Sequence, residues 1–176
     1  IYHGWEMVDR AKIEHTGRLI RYGLDFGFSN DETALVALYE MPDGKTGLIE
    51  LIYQRGLLGS QYAGALEKAG VDPNILIVAD SARPEIIAEI KAAGFRIIGA
   101  DKAPGSVLRG IDYVSQRQIV YAGDNLRREY LSYAWRKKRS GEVLDEPQDG
   151  NDHCADAIRY AIADLHRPTV AYGGVR

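Results

Sequence analysis

Residues 19–39, LIRYGLDFGFSNDETALVALY, decide the fold that we predict for this chain. The stretch contains two apolar, strand-like runs, at 19–26 and 33–39, which are separated by the turn-forming residues GFSND. A third run, TGLIELIYQ at 46–54, follows the turn-rich segment MPDGK. Because these links are short, we expect the three strands to form an antiparallel meander.

The rest of the chain alternates between helical and strand patterns. The run ILIVA at 75–79 is continuously apolar, which is typical of a strand covered on both faces. The patterns predict helices over 60–70, 84–93, 106–116, 125–138 and 152–165, strands over 95–99 and 118–121, and a linker over 140–150. We therefore predict an α/β fold with a mixed sheet, in which the meander is followed by parallel βαβ units flanked by helices.

The composition indicates one soluble globular domain. A chain of 176 residues, 45% hydrophobic and 27% charged, is long enough for one core and short for two. No apolar run approaches the roughly 18 residues of a membrane span, and the start resembles no signal peptide. The missing initiator Met suggests a piece of a longer protein, which we divide into a lead-in over residues 1–18, a domain over 19–166 and a tail over 167–176. The single cysteine agrees with a reducing compartment.

Acidic residues near predicted strand ends are the first functional candidates. Asp25 lies in an apolar strand, where a carboxylate costs several kcal/mol unless it has a partner. Asp80 directly follows ILIVA, at the end of a strand where open α/β sheets place their ligands. If the first and fourth strands are neighbours, a hard divalent cation would relieve the repulsion between these carboxylates. The last predicted helix offers His153 and Asp156 on one face to close the site.

Each of these residues also has a structural explanation. Asp25 could be a turn residue bonded to local backbone, and Asp80 could cap the helix that follows SARPE. His153 could be a surface residue, or it could support a ligand without binding a metal itself. Three further polar residues fit turn or helix-cap roles: Asp31, Asn151 and Asp152.

Four segments taken together resemble the nuclease domain of the large terminase subunit of tailed double-stranded DNA phages. They are LDFGFSND, IVADSARPE, GSVLRGIDYV and YAWRKKRSGEVLDEPQDGNDHCADAIRYA, and the gapless run from Trp135 to Tyr160 is the most specific. The resemblance covers nearly the whole chain from Leu19. It implies a ribonuclease H-like fold and a metal-dependent endonuclease that cuts concatemeric viral double-stranded DNA into packaging units.

The resemblance also implies site residues, cofactors and partners. Asp25, Asp80 and Asp156 would bind two divalent ions, Mg²⁺ or Mn²⁺, and His153 would be a catalytic helper in or beside their ligand set. Asp31 and Asp152 are further candidates. Members of this family also carry an ATPase, but this chain has no G-x-x-x-x-G-K-[ST] loop, so we expect it to cut and not to pump. The portal protein and the small terminase subunit are the expected partners, in the host cytoplasm and away from membranes.

DNA contacts must come from a local basic patch, because the net charge is −3. The candidates are the segment WRKKR, two arginines before it and two residues after strand ends: Arg127, Arg128, Arg136, Lys137, Lys138, Arg139, Lys102 and Arg83. Such residues give sequence-tolerant, salt-sensitive contacts to phosphates. Alternatively, the WRKKR cations complement the dipole of a helix C-terminus, and Arg83 and Lys102 are plain surface residues. The loop at 101–110 is either a gate or a tight helix start.

Three other classes of protein share some of these features. Sugar kinase and actin-like ATPases place an Asp-x-Gly turn after a first strand, but they need a second domain for which 176 residues leave no room. A junction resolvase shares the acidic residues but not the run from Trp135. A docking module for the portal or the small subunit would carry idle carboxylates, and divalent metal would not stabilise it.

Overall fold

The computed structural model describes residues 1–27, 31–148 and 150–167. The strands are β1 (Glu6–Met7), β2 (Arg18–Asp25), β3 (Glu32–Glu40), β4 (Thr46–Arg55), β5 (Ile77–Ala79), β6 (Ile97–Gly99), β7 (Ile119–Ala122), β8 (Trp135–Lys137) and β9 (Val143–Pro147). The helices are α1 (Arg10–Thr16), α2 (Tyr62–Lys68), α3 (Pro84–Ala92), α4 (Ser106–Ser115), α5 (Asp124–Ser132) and α6 (His153–Asp164), and a 3₁₀ turn, Gly59–Gln61, precedes α2. Among the described residues, no helix has the length and apolar character needed to cross a membrane.

Seven strands form one mixed sheet in the order β1, β7, β4, β3, β2, β5, β6. β2, β3 and β4 are the antiparallel meander, whereas β5 and β6 continue the sheet in parallel on one side and β7 and β1 on the other. The predicted meander and parallel units are confirmed. β5 lies directly beside β2, with Leu24 opposite Ala79.

Helices cover both faces of this sheet. Alternate side chains of the central strands point to opposite faces. Leu24 and Ile49 belong to the core beneath α1, α2 and α3. Val36 and Leu48 belong to the core beneath α4, α5 and α6. The central strands are therefore apolar on both faces, and any charge within them needs a specific partner.

α6 lies unusually close to β2 because the facing residues are small. A Cβ atom built at Gly23 would lie 1.8 Å from the carbonyl oxygen of Ala157 and 3.2 Å from Cβ of Ala161. No side chain fits there, which explains a glycine two residues before Asp25. This contact sets how closely α6 lies over β2.

The helix predicted over 125–138 is confirmed only as far as Ser132, and the stretch 140–150, predicted as the nearest feature to a linker, contains strand β9. α5 ends at Ser132, and the following residues form a separate antiparallel hairpin of β8 and β9, with Lys137 opposite Val143. The segment RKKRS has no apolar residue that could hold a further helical turn against the core. The WRKKR cations therefore lie on a hairpin and not at a helix C-terminus.

The predicted lead-in over residues 1–18 packs against the sheet. β1 pairs in parallel with β7, and α1 buries Ile13 completely. These residues thus contribute to the packed fold, since they extend the sheet and cover one of its faces. Of the predicted tail over 167–176, only Arg167 lies within the described residues.

Candidate metal centre

Asp25 and Asp80 lie at the same edge of the sheet, at the carboxyl ends of β2 and β5. The two strands are parallel neighbours, and the amide of Asp80 donates a hydrogen bond to the carbonyl oxygen of Leu24 at 2.9 Å. The predicted adjacency of the first and fourth strands is thereby confirmed. Two acidic residues consequently share the edge where ligands of α/β sheets bind.

α6 adds His153 and Asp156 to this edge. Nδ1 of His153 lies 3.1 Å from Oδ2 of Asp25. Asp156 follows three residues later on the same side of the helix, close enough for its charge to act on Asp25. The structure therefore brings together all four residues named as catalytic candidates: Asp25, Asp80, Asp156 and His153.

The Asp25 carboxylate is buried, with 8% of the residue exposed. Burial is the largest cause that raises its pKa, to about 7; the charges of Asp156 and Asp80 act in the same direction, and the hydrogen bond with His153 opposes them. The same hydrogen bond outweighs burial at His153 and raises the pKa of the imidazole to about 9. His153 is thus a protonated partner for Asp25 at neutral pH.

Asp80 is held by contacts from two neighbouring loops. Its carboxylate forms an ion pair with Nζ of Lys102, and its Oδ1 accepts a hydrogen bond from the amide of Ala82 at 2.8 Å. The alternative that Asp80 caps α3 is wrong, because Arg83 occupies the N-cap position. The Asp80 side chain stays at the sheet edge, and Lys102 lies beside the site.

Asp156 is oriented by two residues of its own helix. Nη2 of Arg159 lies 2.7 Å from Oδ1 of Asp156, and the Tyr160 hydroxyl donates to Oδ2 at 3.2 Å. Burial raises the pKa of Tyr160, as do the charges of Asp156, Asp25 and Asp80, so the ring lies within electrostatic reach of all three carboxylates. Sequence analysis did not single out Arg159 or Tyr160, although their spacing of three and four residues from Asp156 was a usable signal.

Glu32 is a further acidic residue that sequence analysis missed. Its Oε2 lies 3.5 Å from Nε2 of His153, and its Oε1 accepts a hydrogen bond from Nε of Arg55 at 2.9 Å. His153 therefore has a carboxylate beside each ring nitrogen. Glu32 reaches this position because β3 runs antiparallel to β2, with Ala34 opposite Asp25, and only the register of the hairpin reveals it.

The chemistry of this set of side chains fits a hard divalent cation. Mg²⁺ and Mn²⁺ prefer oxygen ligands, and the repulsion around buried Asp25 is what such an ion would relieve. In this structure, the positive charges of His153, Lys102 and Arg159 compensate the three carboxylates. In the part of the chain that the structure describes, no three His, Cys, Asp or Glu side chains already stand around one metal position.

Asp31 and Asp152 lie at the margins of the site. Asp31 is exposed, and the residues before it, 28–30, are outside the described ranges. Asp152 occupies the N-cap position of α6, as predicted, and its carbonyl oxygen accepts a hydrogen bond from the amide of Asp156 at 2.7 Å. The Asp152 side chain makes no capping hydrogen bond, so the cap of α6 comes from another residue.

Two basic candidates, Arg127 and Arg128, lie on α5, and a third, Arg83, directly precedes α3. Arg127 and Arg128 are exposed on α5. The Arg128 guanidinium lies 5.5 Å from the ring centre of Tyr53, which is itself edge-on to the histidine of the site at 6.4 Å. Arg83 forms an ion pair with Glu85. Of the two α5 arginines, Arg128 is therefore linked to the histidine through the Tyr53 ring.

The hairpin of β8 and β9 carries the remaining candidates. Two of its cations pair with its own glutamates: Arg136 with Glu146 at 3.1 Å, and Lys138 with Glu142 at 2.9 Å. Lys137 and Arg139 are exposed on the same hairpin. The hairpin therefore presents these two cations to solvent, while the other two are partly neutralised.

A meander followed by parallel strands, with acidic residues at the ends of β2 and β5 and on the last helix, defines a ribonuclease H-like domain. The sequence model described as the terminase RNase H-like domain matches residues 25–164. The chain belongs to this family.

Two curated relatives are large terminase subunits. The chain is 29% identical over 149 residues to the PBSX phage terminase large subunit of Bacillus subtilis (strain 168), a match that covers 83% of this chain and 34% of the relative. It is 28% identical over 163 residues to the terminase large subunit of Bacillus phage SPP1, covering 88% of this chain and 38% of the relative. The chain thus spans well under half the length of either relative.

Solved structures have the same fold. The nuclease domain of the bacteriophage SPP1 large terminase, g2p, with bound Mn superposes with a TM-score of 0.79 at 24% identity, over 93% of this chain and 98% of that chain. The large terminase nuclease of the thermophilic phage G20c with bound magnesium gives a TM-score of 0.63 at 19% identity, over 82% and 80%. The predicted ribonuclease H-like fold is confirmed.

Proposed function

We propose that this chain is the nuclease domain of a large terminase subunit, a metal-dependent endonuclease that cleaves concatemeric viral double-stranded DNA during genome packaging. The observation that carries the proposal is the convergence of Asp25, Asp80 and Asp156 from β2, β5 and α6 at one sheet edge. Membership of the terminase RNase H-like family supports it. Such a concentration of carboxylates destabilises the fold unless cations compensate it, so we assign it to metal-dependent chemistry.

We infer that the cluster would take two Mg²⁺ or Mn²⁺ ions, which Asp25, Asp80 and Asp156 would hold. When bound, two such ions activate a water molecule and stabilise the leaving 3′ oxygen of the cut strand. The Mn-bound SPP1 and magnesium-bound G20c nuclease domains support divalent metal use by proteins of this fold. Because ligating carboxylates must be deprotonated, Asp25 has to give up the proton that burial favours.

His153 is the proton-holding residue of the proposed site. Its Nδ1 faces Asp25 and its Nε2 faces Glu32, so both ring nitrogens lie beside carboxylates. The protonated ring compensates the buried charge before metal arrives, and it can afterwards hold or release a proton beside Asp25. We therefore assign His153 a helper role, either in the ligand set or directly next to it.

We assign the phosphate contacts to the basic residues around the site. We propose that Lys102, which pairs with Asp80, would contact a DNA phosphate oxygen. The other proposed DNA contacts are Arg83, Arg127, Arg128, Arg136, Lys137, Lys138 and Arg139. Because the chain is acidic overall, binding from this local set should be sequence-tolerant and salt-sensitive.

The wider assignments rest on the family and extend beyond this chain. We propose that residues 19–166, with the packed segment before them, form the nuclease domain and that residues 167–176 are a tail. The complete subunit would act with the portal protein and the small terminase subunit. That assembly would work in the host cytoplasm, outside the mature virion, with no membrane contact.

Plasmid cleavage tests the proposal. Supercoiled plasmid is incubated with the protein in Mn²⁺, in Mg²⁺ and in EDTA, and nicking and linearisation are followed on a gel. Asp25→Ala should lower the metal-dependent rate at least about 100-fold, since losing a ligand should cost no less than the 10-fold to 100-fold typical of residues that only orient one. The matched control is Glu67→Ala, which removes an exposed carboxylate on α2 and should keep the full rate.

Metal-dependent melting separates the alternatives. A protein that binds Mn²⁺ in its folded state is stabilised by about 2.7 kcal/mol when the ion is at 100 times its dissociation constant. A folded protein that neither cuts nor gains stability from Mn²⁺ would be a docking module with idle carboxylates, and the proposal would fail. Preferential cutting of four-way junctions over linear duplex would instead indicate a resolvase.

A further inference from the structure

We propose that Glu129 is a positioning residue of the metal centre. Its carboxylate accepts hydrogen bonds from backbone amides in the first turn of α6 and thereby clamps this turn, so that His153 and Asp156 face Asp25. This inference deepens the proposed function, on which its metal-dependent part rests.

The Glu129 side chain is buried, with 1% of the residue exposed, and its oxygens accept three hydrogen bonds. Oε2 accepts from the amide of Cys154 at 2.7 Å and from the amide of Ala155 at 3.2 Å. Oε1 accepts from the hydroxyl of Tyr53 at 2.9 Å. A carboxylate this deep persists only where such bonds compensate its lost hydration.

The two clamped amides are those of the residues between His153 and Asp156. The first amides of a helix have no partner within the helix, and a carboxylate placed there also suits the helix dipole. The residue at the N-cap position, Asp152, makes no side-chain capping bond. Glu129 therefore supplies from α5 the cap that α6 does not supply itself.

The apolar packing of α6 does not by itself set the position of its first turn. Four residues, Ala157, Ile158, Ala161 and Ile162, are buried against the sheet and hold the helix to it. Such contacts are non-directional and tolerate small shifts along the helix axis. The hydrogen bonds to Glu129 are directional, and they act at the turn that carries the site residues.

Glu50 provides a control because its carboxylate also accepts a hydrogen bond from a backbone amide in the first turn of a helix, here α5. α5 starts after Gly123, which has no side chain, and Oε2 of Glu50 accepts from the amide of Leu126 at 2.8 Å. Its Oε1 accepts from Nδ2 of Asn125. The capping chemistry is thus alike, but the clamped residues on α5 are not members of the metal centre.

The experiment compares Glu129→Gln and Glu50→Gln with the unmodified protein. For each we measure the Mn²⁺ concentration that gives half-maximal plasmid nicking, the Mn²⁺ concentration that gives half-maximal thermal stabilisation, and the metal-free Tm. Partners that orient metal ligands typically cost 10-fold to 100-fold in metal affinity when removed. We expect both Mn²⁺ midpoints to rise at least about tenfold in Glu129→Gln, and to stay within about twofold in Glu50→Gln at a similar loss of Tm.

A milder substitution keeps the test informative if Glu129→Gln does not fold. Tyr53→Phe removes one of the three hydrogen bonds to Glu129 and should raise the midpoints in the same direction by a smaller factor. If Glu129→Gln lowers only the Tm, or if Glu50→Gln shifts the midpoints equally, the positioning role is refuted, because the effect is then general destabilisation.

A metal-free measurement keeps this inference separate from the nuclease proposal. The ring signals of His153, assigned by comparison with His153→Gln, should show altered nuclear Overhauser contacts with the Tyr53 ring in Glu129→Gln and unchanged contacts in Glu50→Gln. These contacts report the position of the ring, whereas its chemical shift also responds to the lost charge of Glu129. Unchanged contacts in both variants would overturn the positioning role. Failure of the unmodified protein to bind Mn²⁺ or to cut would instead overturn the proposed function, and the ring contacts would still decide the role of Glu129.

Discussion

The contact between Gly23 and α6 allows a direct test of how the fold builds the site. Gly23→Ala adds one methyl group to β2, and the added Cβ would lie 1.8 Å from the carbonyl oxygen of Ala157 and 2.6 Å from its carbonyl carbon. Ordinary contacts of a Cβ atom begin at 3.4 Å. Both clashing atoms belong to helix backbone, so no side-chain rotation can relieve the overlap.

The helix must therefore move away from the sheet by about 1.6 Å, the difference between 3.4 Å and 1.8 Å, or the strand must bend by as much. Overpacking of this kind costs about 1–3 kcal/mol, and backbone on both sides favours the upper end. For a domain of this size, about 3 kcal/mol corresponds to a Tm lower by about 6–12 °C. A displacement of about 1 Å in reacting groups can cost about 100-fold in rate.

The assay combines thermal unfolding with plasmid nicking in saturating Mn²⁺. Gly64→Ala is the control: it adds the same methyl group within α2, where nothing lies within 4 Å, and should raise stability by about 0.5–1 kcal/mol. We expect Gly23→Ala to lower both the Tm and the cleavage rate, with the rate below about one hundredth of normal. A Gly23→Ala protein with unchanged Tm and rate would refute the inference that α6 rests on this glycine.

Two further predictions concern protons and DNA. In EDTA, the free energy of unfolding should fall as pH rises from about 6.5 to 9. The pKa of His153 is raised to about 9, so the stabilisation from its protonated ring is complete below the pKa of the unfolded state and is lost as pH rises through the folded value. The pKa of Asp25 is raised to about 7, and its contribution to stability is likewise lost as pH rises through that value. Removing His153 alone would also remove the hydrogen bond that lowers the pKa of Asp25, so the matched variant is the double substitution Asp25→Asn/His153→Gln. Melting temperatures across this window should show a flatter profile for that variant, and an equally steep profile would contradict the assignment. In an Asp25→Ala background, replacing Lys137 and Arg139 by Ala should reduce the slope of log K against log salt for a DNA duplex by about 1.8, at about 0.9 for each lost phosphate contact. Replacing Arg18, which pairs with Glu40 at the opposite edge of the sheet, should leave the slope unchanged in the same fluorescence polarisation titration.

The sequence predicted the central sheet correctly because its signals are local. The runs at 19–26, 33–39 and 46–54 became β2, β3 and β4 within one residue at either end. Short links allow only antiparallel pairing, and a continuous apolar run such as ILIVA has to be covered on both faces. The prediction for the segment after Ser132 was wrong because such local signals are missing there: a charged run does not distinguish a surface helix from a hairpin.

The sequence by itself also determined which residues to suspect, because a carboxylate in an apolar strand needs a partner wherever the strand lies. This argument selected Asp25, and the ends of strands and helices added Asp80 and Asp156. The tertiary structure alone decided what surrounds them: Glu32 enters through the register of a hairpin, and Glu129 through the packing of one helix end on another. These contacts join residues up to 128 positions apart, as between Asp25 and His153. Periodicity reports which face of an element is apolar, but distances between faces are fixed only when the whole chain has packed.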